Sequence, residues 1–471
     1  MSVTEQLARF AIEAPADILT PEVLESAKAK FLDTIGVMVR GAQHPAGKIA
    51  RDTVADMGGR PVATVLGNGE RISSPLAGFA NGVSAHALEY DDNTRGVGHA
   101  SVVLVPGCLA VAEETRASGR AMLEAFAVGF EVTARIARGL RPHLLDRGWH
   151  PIGIVGGQGV AVAACRLMDL GTPAARMAMG IMASSGSGVR KNVGSMGKAF
   201  HVGHGVRCGI FAASLARRGY TVDPDVIEGQ ETAGDGHERF GLADTYTGVG
   251  NYRLQLMTEG LGTTLELARN TTMVRMHPGS TAPAAAVDGL IELVSEHALN
   301  AGDVAEIRVE CTPQCVAIAP YAEPSDEHRA KFCIPYTLAV AFLDRDVRLA
   351  QYHPQRIADE AVHALMKRVT VIVPEDLKRH RGQWGENGVN WGESRVSVLL
   401  KDGRRFDKSS SYAKGWPERP ATSADLKHKY EECTGGLFSR AQIDETVQMI
   451  AALEKLDKVG ELTRALVPRP R

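Results

Sequence analysis

The chain has 471 residues, 44% of them hydrophobic, with a formal net charge of −2. That length allows about two or three domains and a sizeable core. The balanced charge and the 5% aromatic content exclude a nucleic-acid partner of the usual basic, base-stacking kind. No apolar run reaches about 18 residues, so no membrane-spanning helix and no membrane partner are expected.

The opening MSVTEQLARFAIEAP is amphipathic, carries early acidic residues and lacks an apolar core stretch, so it reads as a helix and not as a signal peptide. Residues 1–59 keep helical periodicity. Thr20 is the expected cap of a helix with Pro21 in its first turn, ending at Gly41. RPVATVLGNGER predicts a short hairpin turning at Gly67-Asn68-Gly69. A helix follows over SPLAGFANGVSAHAL and carries His86 in its last turn.

Residues 89–120 combine Glu89, Asp91 and Asp92 with His99 after a Gly-rich turn, then a buried helix, SVVLVPGCLAVAEET. Carboxylates beside a histidine can form a metal site, an acid–base pair or a helix cap. No HExxH or DxDxDG spacing supports a metal. Residues 121–183 predict three apolar helices, with His150 between Trp149 and Pro151. GIVGGQGVA resembles a dinucleotide fingerprint only superficially. No strand precedes it and no spaced acidic residue follows, so close helix crossings explain its glycines better.

Residues 184–207, SSGSGVRKNVGSMGKAFHVGHGVR, hold Arg190, Lys191, Lys198, His201, His204 and Arg207 without a carboxylate. Such a segment between two apolar helices is either a cationic wall for a carboxylate or a basic surface loop. Residues 205–268 continue as helix, loop and helix, with EGQETAGDGHERF as a polar loop. Near residue 270 the pattern changes. An extended stretch runs into a helix; AEIRVECT alternates as a strand; AKFCIPYTLAVAFLD is an apolar helix; VTVIVPE is strand-like; and ESRVSVLLKDGRRFDKS is a hairpin about Asp402-Gly403. TSADLKHKYEEC and AQIDETVQMIAALEKL return to amphipathic helix. The fold class is therefore mainly α with an α+β second domain: residues 1–269 and 411–471 form a helical domain, and 270–410 the smaller one. The seven cysteines, an odd number, read as reduced thiols of a cytoplasmic protein. Cys311 and Cys315 lack two further ligands at zinc-site spacing.

Four stretches together resemble the MmgE/PrpD family, which includes 2-methylcitrate dehydratase, cis-aconitate decarboxylase and iminodisuccinate epimerase. They are HALEYDDNTRGVGHASVVLVPGCLAVAE, GWHPIGIVGGQGVAVAACRLMDL, SSGSGVRKNVGSMGKAFHVGHGVRCG and AKFCIPYTLAVAF. The resemblance implies a large helical domain from both chain ends, an inserted α+β domain, a homodimer, a small carboxylate substrate, and no metal or other cofactor. Residue by residue, Glu89 stands where the decarboxylases show an aspartate, Asp91 and Asp92 match the paired aspartates, and Asn93 replaces Thr or Ser. His99, His150, Lys198 and His201 match site residues, while Arg190 and Asn192 resemble the epimerase-like subgroup. RMHPGSTAPA departs from the family's KPYPxCxxTH: Arg275 and His277 replace Lys and Tyr, and the motif histidine becomes Ala282 or Ala284. His204 replaces an arginine.

The family reactions move a proton beside a carboxylate, which needs a base, an acid and cations for the enolate-like charge. The catalytic candidates are Lys198, His99, His150 and Asp91. Lys198 is either a neutral base or a fixed cation, the histidines are acid–base groups or satisfied core residues, and Asp91 orients His99. Arg190, Asn93, Glu89, His201, His204, Arg275 and His277 are the substrate-binding candidates, the two arginines as carboxylate clamps. The expected function is a cofactor-free epimerase or isomerase of a small (amino)dicarboxylic acid. The alternatives are a lyase on a 2-methylcitrate- or cis-aconitate-like acid, or a catalytically silent binding member.

Overall fold

The computed structural model describes residues 1–228, 231–232, 238–378 and 393–469. It divides into two compact units, Met1–Thr272 with Thr422–Arg471, and Met273–Ala421.

The first unit is helical. Its amino-terminal helices are α1 (Val3–Glu13), α2 (Pro21–Gly41) and α3 (Pro45–Met57). The Thr20 hydroxyl accepts from the Val23 amide at 3.4 Å with Pro21 in the first turn, so the cap signal and the helix start coincide. Strands β1 (Ala63–Thr64) and β2 (Arg71–Ile72) pair antiparallel about the Gly-Asn-Gly turn. Helices α4 (Ser74–His86), α5 (Ser101–Thr115), α6 (Gly119–Leu140), α7 (Ile152–Leu167), α8 (Thr172–Ser185) and α9 (Met196–Ala216) follow.

The glycine-rich helices cross at backbone contact. A Cβ on Gly153 of α7 would lie 2.5 Å from the Ser187 carbonyl oxygen, and one on Gly203 of α9 would lie 2.6 Å from that of Phe79 in α4. The GIVGGQGVA tract is thus a helix-packing surface, and α9 is clasped between α4 and α7.

Two local expectations are corrected. The helix foreseen after residue 207 begins at Met196, capped by Ser195, so Lys198, His201, His204 and Arg207 lie on it and not in a loop. The second helix foreseen in 205–268 is reduced to short pieces, Leu242–Thr247 and Gln255–Thr258, because Gly248, Gly250, Gly260 and Gly262 take positive φ between and beyond them. The polar loop foreseen at 228–240 lies largely outside the described residues.

In the second unit α10 (Ala284–Glu296), β3 (Val304–Cys311), α11 (Ile334–Asp344), β4 (Val369–Ile372), β5 (Ser394–Leu400) and β6 (Arg405–Ser410) build one sheet in the order β6-β5-β3-β4. β3 pairs parallel with β4 and antiparallel with β5, and β5 and β6 form the foreseen hairpin. Alternating residues such as Ile307, Val309, Val396 and Val398 are buried in a core shared with α10 and α11. The unit runs past the expected limit at 410 because later residues bond back into it. The Gly415 carbonyl accepts from the Val274 amide at 2.9 Å, and the Arg419 guanidinium meets Glu292 at 2.7 Å. Conversely, Thr271 and Thr272 bond to Arg95 and Thr94 in the first unit.

The chain then returns to the first unit through α12 (Ser423–Thr434) and α13 (Arg440–Ala451). Thr422 and Asp425 form a capping box at the start of α12. The seven cysteines are free thiols. Among the described residues no helix is long and apolar enough to cross a membrane.

Candidate active site

Helix α4 ends at His86, and Glu89 then takes a left-handed backbone conformation with φ 53°. That geometry costs a non-glycine residue about 1–2 kcal/mol. It turns the chain so that Glu89, Asp91 and Asp92 are all buried. A tight turn closed by reciprocal Thr94 and Gly98 backbone bonds of 2.8 Å, with Gly96 and Gly98 at positive φ, then brings His99 back onto the aspartates.

Asp91 holds two imidazoles. Its Oδ1 is 2.9 Å from His86 Nδ1 and its Oδ2 is 2.7 Å from His99 Nδ1. The Asp92 backbone carbonyl lies 2.9 Å from the same His99 nitrogen. A carbonyl can only accept, so His99 Nδ1 carries the proton and Nε2 is the nitrogen left for proton exchange. His86 Nε2 is buried and has no hydrogen-bond partner among the described residues. The Asp92 carboxylate accepts from the Ser101 hydroxyl. Burial pushes its acid up to about 6, against the pull of Lys30 and Ser101.

The second wall comes from residues 148–150 and 187–201. The His150 amide donates to the Gly188 carbonyl at 2.7 Å, and the Arg190 amide to that of Gly148 at 2.8 Å. A Cβ at Gly188, where φ is 144°, would lie 2.9 Å from the His150 carbonyl, so this close pairing needs glycine. His150 Nδ1 sits 3.2 Å from His201 Nδ1. The His150 ring lies parallel to that of His86 at 6.0 Å and tilted to that of His99 at 6.4 Å. Burial, then the charges of Lys198 and the neighbouring imidazoles, hold His150 well below the usual histidine range. His201 is lowered by burial and by His204 and Lys198.

Lys198 is buried, and its ammonium lies 2.5 Å from the Glu89 carboxylate. The acidic turn and the basic helix therefore meet in an ion pair, which supports the fixed-cation alternative for this lysine. Residues three apart on a helix drift by about 60° per step, so Lys198 and Arg207 leave opposite sides of α9. Accordingly, Arg207 lies over the Phe79 ring at 5.8 Å and bonds His204 Nδ1 at 3.1 Å. His204 Nε2 donates to the Ser185 carbonyl at 3.1 Å, and burial holds its pKa below the usual histidine range.

Glu89, Asp91, His99, His150, Lys198 and His201 therefore come together, with His86 added. Asn93 is half-buried just after the aspartates. Arg190 is exposed on a short 3₁₀ turn, its guanidinium 3.5 Å from the Leu145 carbonyl. Arg275 and His277 belong to the second unit. There Arg275 donates to the Gly279 carbonyl at 2.9 Å. His277 faces the Val347 carbonyl at 3.0 Å and the Asp288 carboxylate at 2.9 Å. Both partners are acceptors, which is the arrangement of an imidazolium. Burial would raise Asp288, but His277, the Lys414 amide and Arg419 outweigh it and hold the carboxyl low.

His86 is the site residue that sequence reasoning passed over, treating it only as a helix end. Its signal was an imidazole five positions before Asp91. Among the described residues, His86, Asp91 and His99 are also the group whose potential metal-ligating atoms lie within 4.8 Å of one another. Imidazole nitrogens already stand at hydrogen-bond distance from both Asp91 oxygens, so an ion there would have to displace those contacts.

The MmgE/PrpD N-terminal domain model matches residues 5–239, and the C-terminal domain model matches residues 277–455. The chain is 25% identical to human cis-aconitate decarboxylase over 477 residues, covering 99% of this chain and 94% of that protein. It is 25% identical to a cis-aconitate decarboxylase-like protein of Aspergillus oryzae over 484 residues, covering 98% and 96%. It is 23% identical to cis-aconitate decarboxylase of Aspergillus terreus over 494 residues, again covering 98% and 96%. The two models together span most of the sequence, and the chain belongs to the MmgE/PrpD family of enzymes, isomerases or lyases.

Proposed function

We propose that the chain is a lyase which breaks a bond beside a carboxylate of a small polycarboxylic acid, with cis-aconitate as the first candidate. The observation that carries this reading is the pair of imidazoles held by Asp91 next to the buried Lys198–Glu89 ion pair. The names of the relatives support decarboxylation. In that reaction the C–C bond to one carboxylate breaks and CO₂ leaves. The electron pair delocalises toward a remaining carboxylate, and a proton is delivered to carbon. His99, its Nδ1–H held by the Asp92 carbonyl, takes up a proton from solvent at Nε2 and, as an imidazolium beside the Asp91 carboxylate, delivers that proton to carbon. His150, kept neutral by burial, is the base that exchanges the proton with His201 at 3.2 Å. Lys198 and Arg190 stabilise the enolate-like charge and grip carboxylates. Asn93 lies beside the substrate. The enzyme acts as a cytoplasmic homodimer, a proposal that rests on the family resemblance and that sedimentation can check.

An epimerase of an (amino)dicarboxylic acid is the second reading. Arg190 and Asn192 favour it, as does Glu89, which neutralises one cation of the wall and so suits a substrate with fewer carboxylates.

Proton NMR in D₂O with cis-aconitate, citrate-type acids and succinate derivatives separates the two readings. A new vinyl signal accompanied by CO₂ release is the expected result. Deuterium entering an α-carbon without a new product makes the protein an epimerase. No exchange with any of the acids makes it a binding-only member.

A further inference from the structure

The turn carrying Glu89 and Asp91 is fastened from behind by a helix far away in sequence. Lys429 of α12 is buried, and its ammonium lies 2.6 Å from Asp33 Oδ1 on α2. The same ammonium donates to the Tyr90 carbonyl at 2.6 Å and lies 4.1 Å from the centre of the Tyr90 ring. One turn further along α12, Glu432 accepts from the Tyr90 hydroxyl at 2.9 Å. Tyr90 itself is fully buried and sits between the two residues that hold Lys198 and the imidazoles.

We propose that Lys429 is a positioning residue of the active site. It ties the Tyr90 peptide, holds Glu89 in its left-handed conformation, and so aims the Glu89 and Asp91 carboxylates at Lys198, His86 and His99. Asp33 balances its charge, and Glu432 fixes the tyrosine ring. A lysine kept for stability alone needs only Asp33. A second bond to the backbone between two site residues gives it a geometric task. The inference deepens the proposed acid–base reading and rests on it.

The test is the double variant D33N/K429M. It removes the two paired charges together, and the buried Lys30 keeps Asp92 as its chief counter-charge. The expected result is a melting temperature close to that of the parent, with loss or strong broadening of the downfield His86 and His99 Nδ1–H proton signals. Turnover falls at least about tenfold with KM changed less than about threefold, because reacting groups are displaced while binding groups remain. Retained imidazole signals in the folded double variant overturn the proposal. The NMR readout needs no substrate, so failure to find a turned-over acid counts against the proposed function and not against this one. Should the double variant fail to fold, Lys429→Arg, which keeps a charge for Asp33 and changes the donor facing the Tyr90 carbonyl, carries the test. Faster exchange of the His99 Nδ1–H supports the proposal, and unchanged exchange overturns it.

Discussion

The Lys198 ammonium stands 2.5 Å from the Glu89 carboxylate, with both side chains buried. The pair joins a helix chosen for its cations to a turn chosen for its carboxylates. Lys198→Ala removes one partner and leaves the other buried, at a cost of about 3–5 kcal/mol. It is also expected to lower turnover at least about a hundredfold. The double change Lys198→Met with Glu89→Gln restores most of the stability and none of the turnover. Thermal melts and kcat on the same preparations separate the two effects. Near-normal turnover in Lys198→Ala removes this residue from the mechanism.

His99→Ala is expected to cost at least about a hundredfold in turnover. Asp91→Asn is the sharper substitution, because it removes the charge that faces both imidazoles and sets an amide NH₂ against one of their N–H groups. One ring then turns or changes tautomer, and kcat falls by about two orders of magnitude or more while KM moves little. Full activity in Asp91→Asn would show that the tautomers do not matter.

His150, His201 and His204 are all held below the usual histidine range, first of all by burial. Their unfolded counterparts titrate near about 6.5. The stability they contribute is therefore fully present above about pH 6.5 and is lost as pH falls toward the folded values. Asp92, raised to about 6, has the opposite sign: its burial weighs on the fold at neutral pH and is relieved as the carboxyl protonates. Denaturant titrations across pH 4.5–7.5, a range of about three units centred near the histidine value, are expected to show a shallower acid loss in His150→Asn than in the parent. An unchanged slope would mean that His150 is not the neutral group assigned here.

Chelation is expected to leave activity intact, since the atoms that could bind an ion at Asp91 are engaged with imidazole. Dialysis against EDTA followed by assay checks this. Loss of turnover restored by a divalent cation would convert His86, Asp91 and His99 into a metal site.

Much of this protein was legible in the sequence because the signals are local. The Thr20 cap, the Gly-Asn-Gly hairpin and the alternation about Asp402-Gly403 each depend on neighbours a few positions away. The family motifs likewise marked Asp91, His99, His150 and Lys198 before any geometry was known. The sequence could not show that His86 shares Asp91 with His99, or that Glu89 neutralises Lys198. It could not show either that Lys429, some 340 positions away, reaches the Tyr90 carbonyl. Those pairings depend on which helices cross at glycine contacts, how a left-handed turn aims its carboxylates, and which charges burial forces together. Such long-range effects leave no periodicity in the chain, and only the tertiary structure decided them.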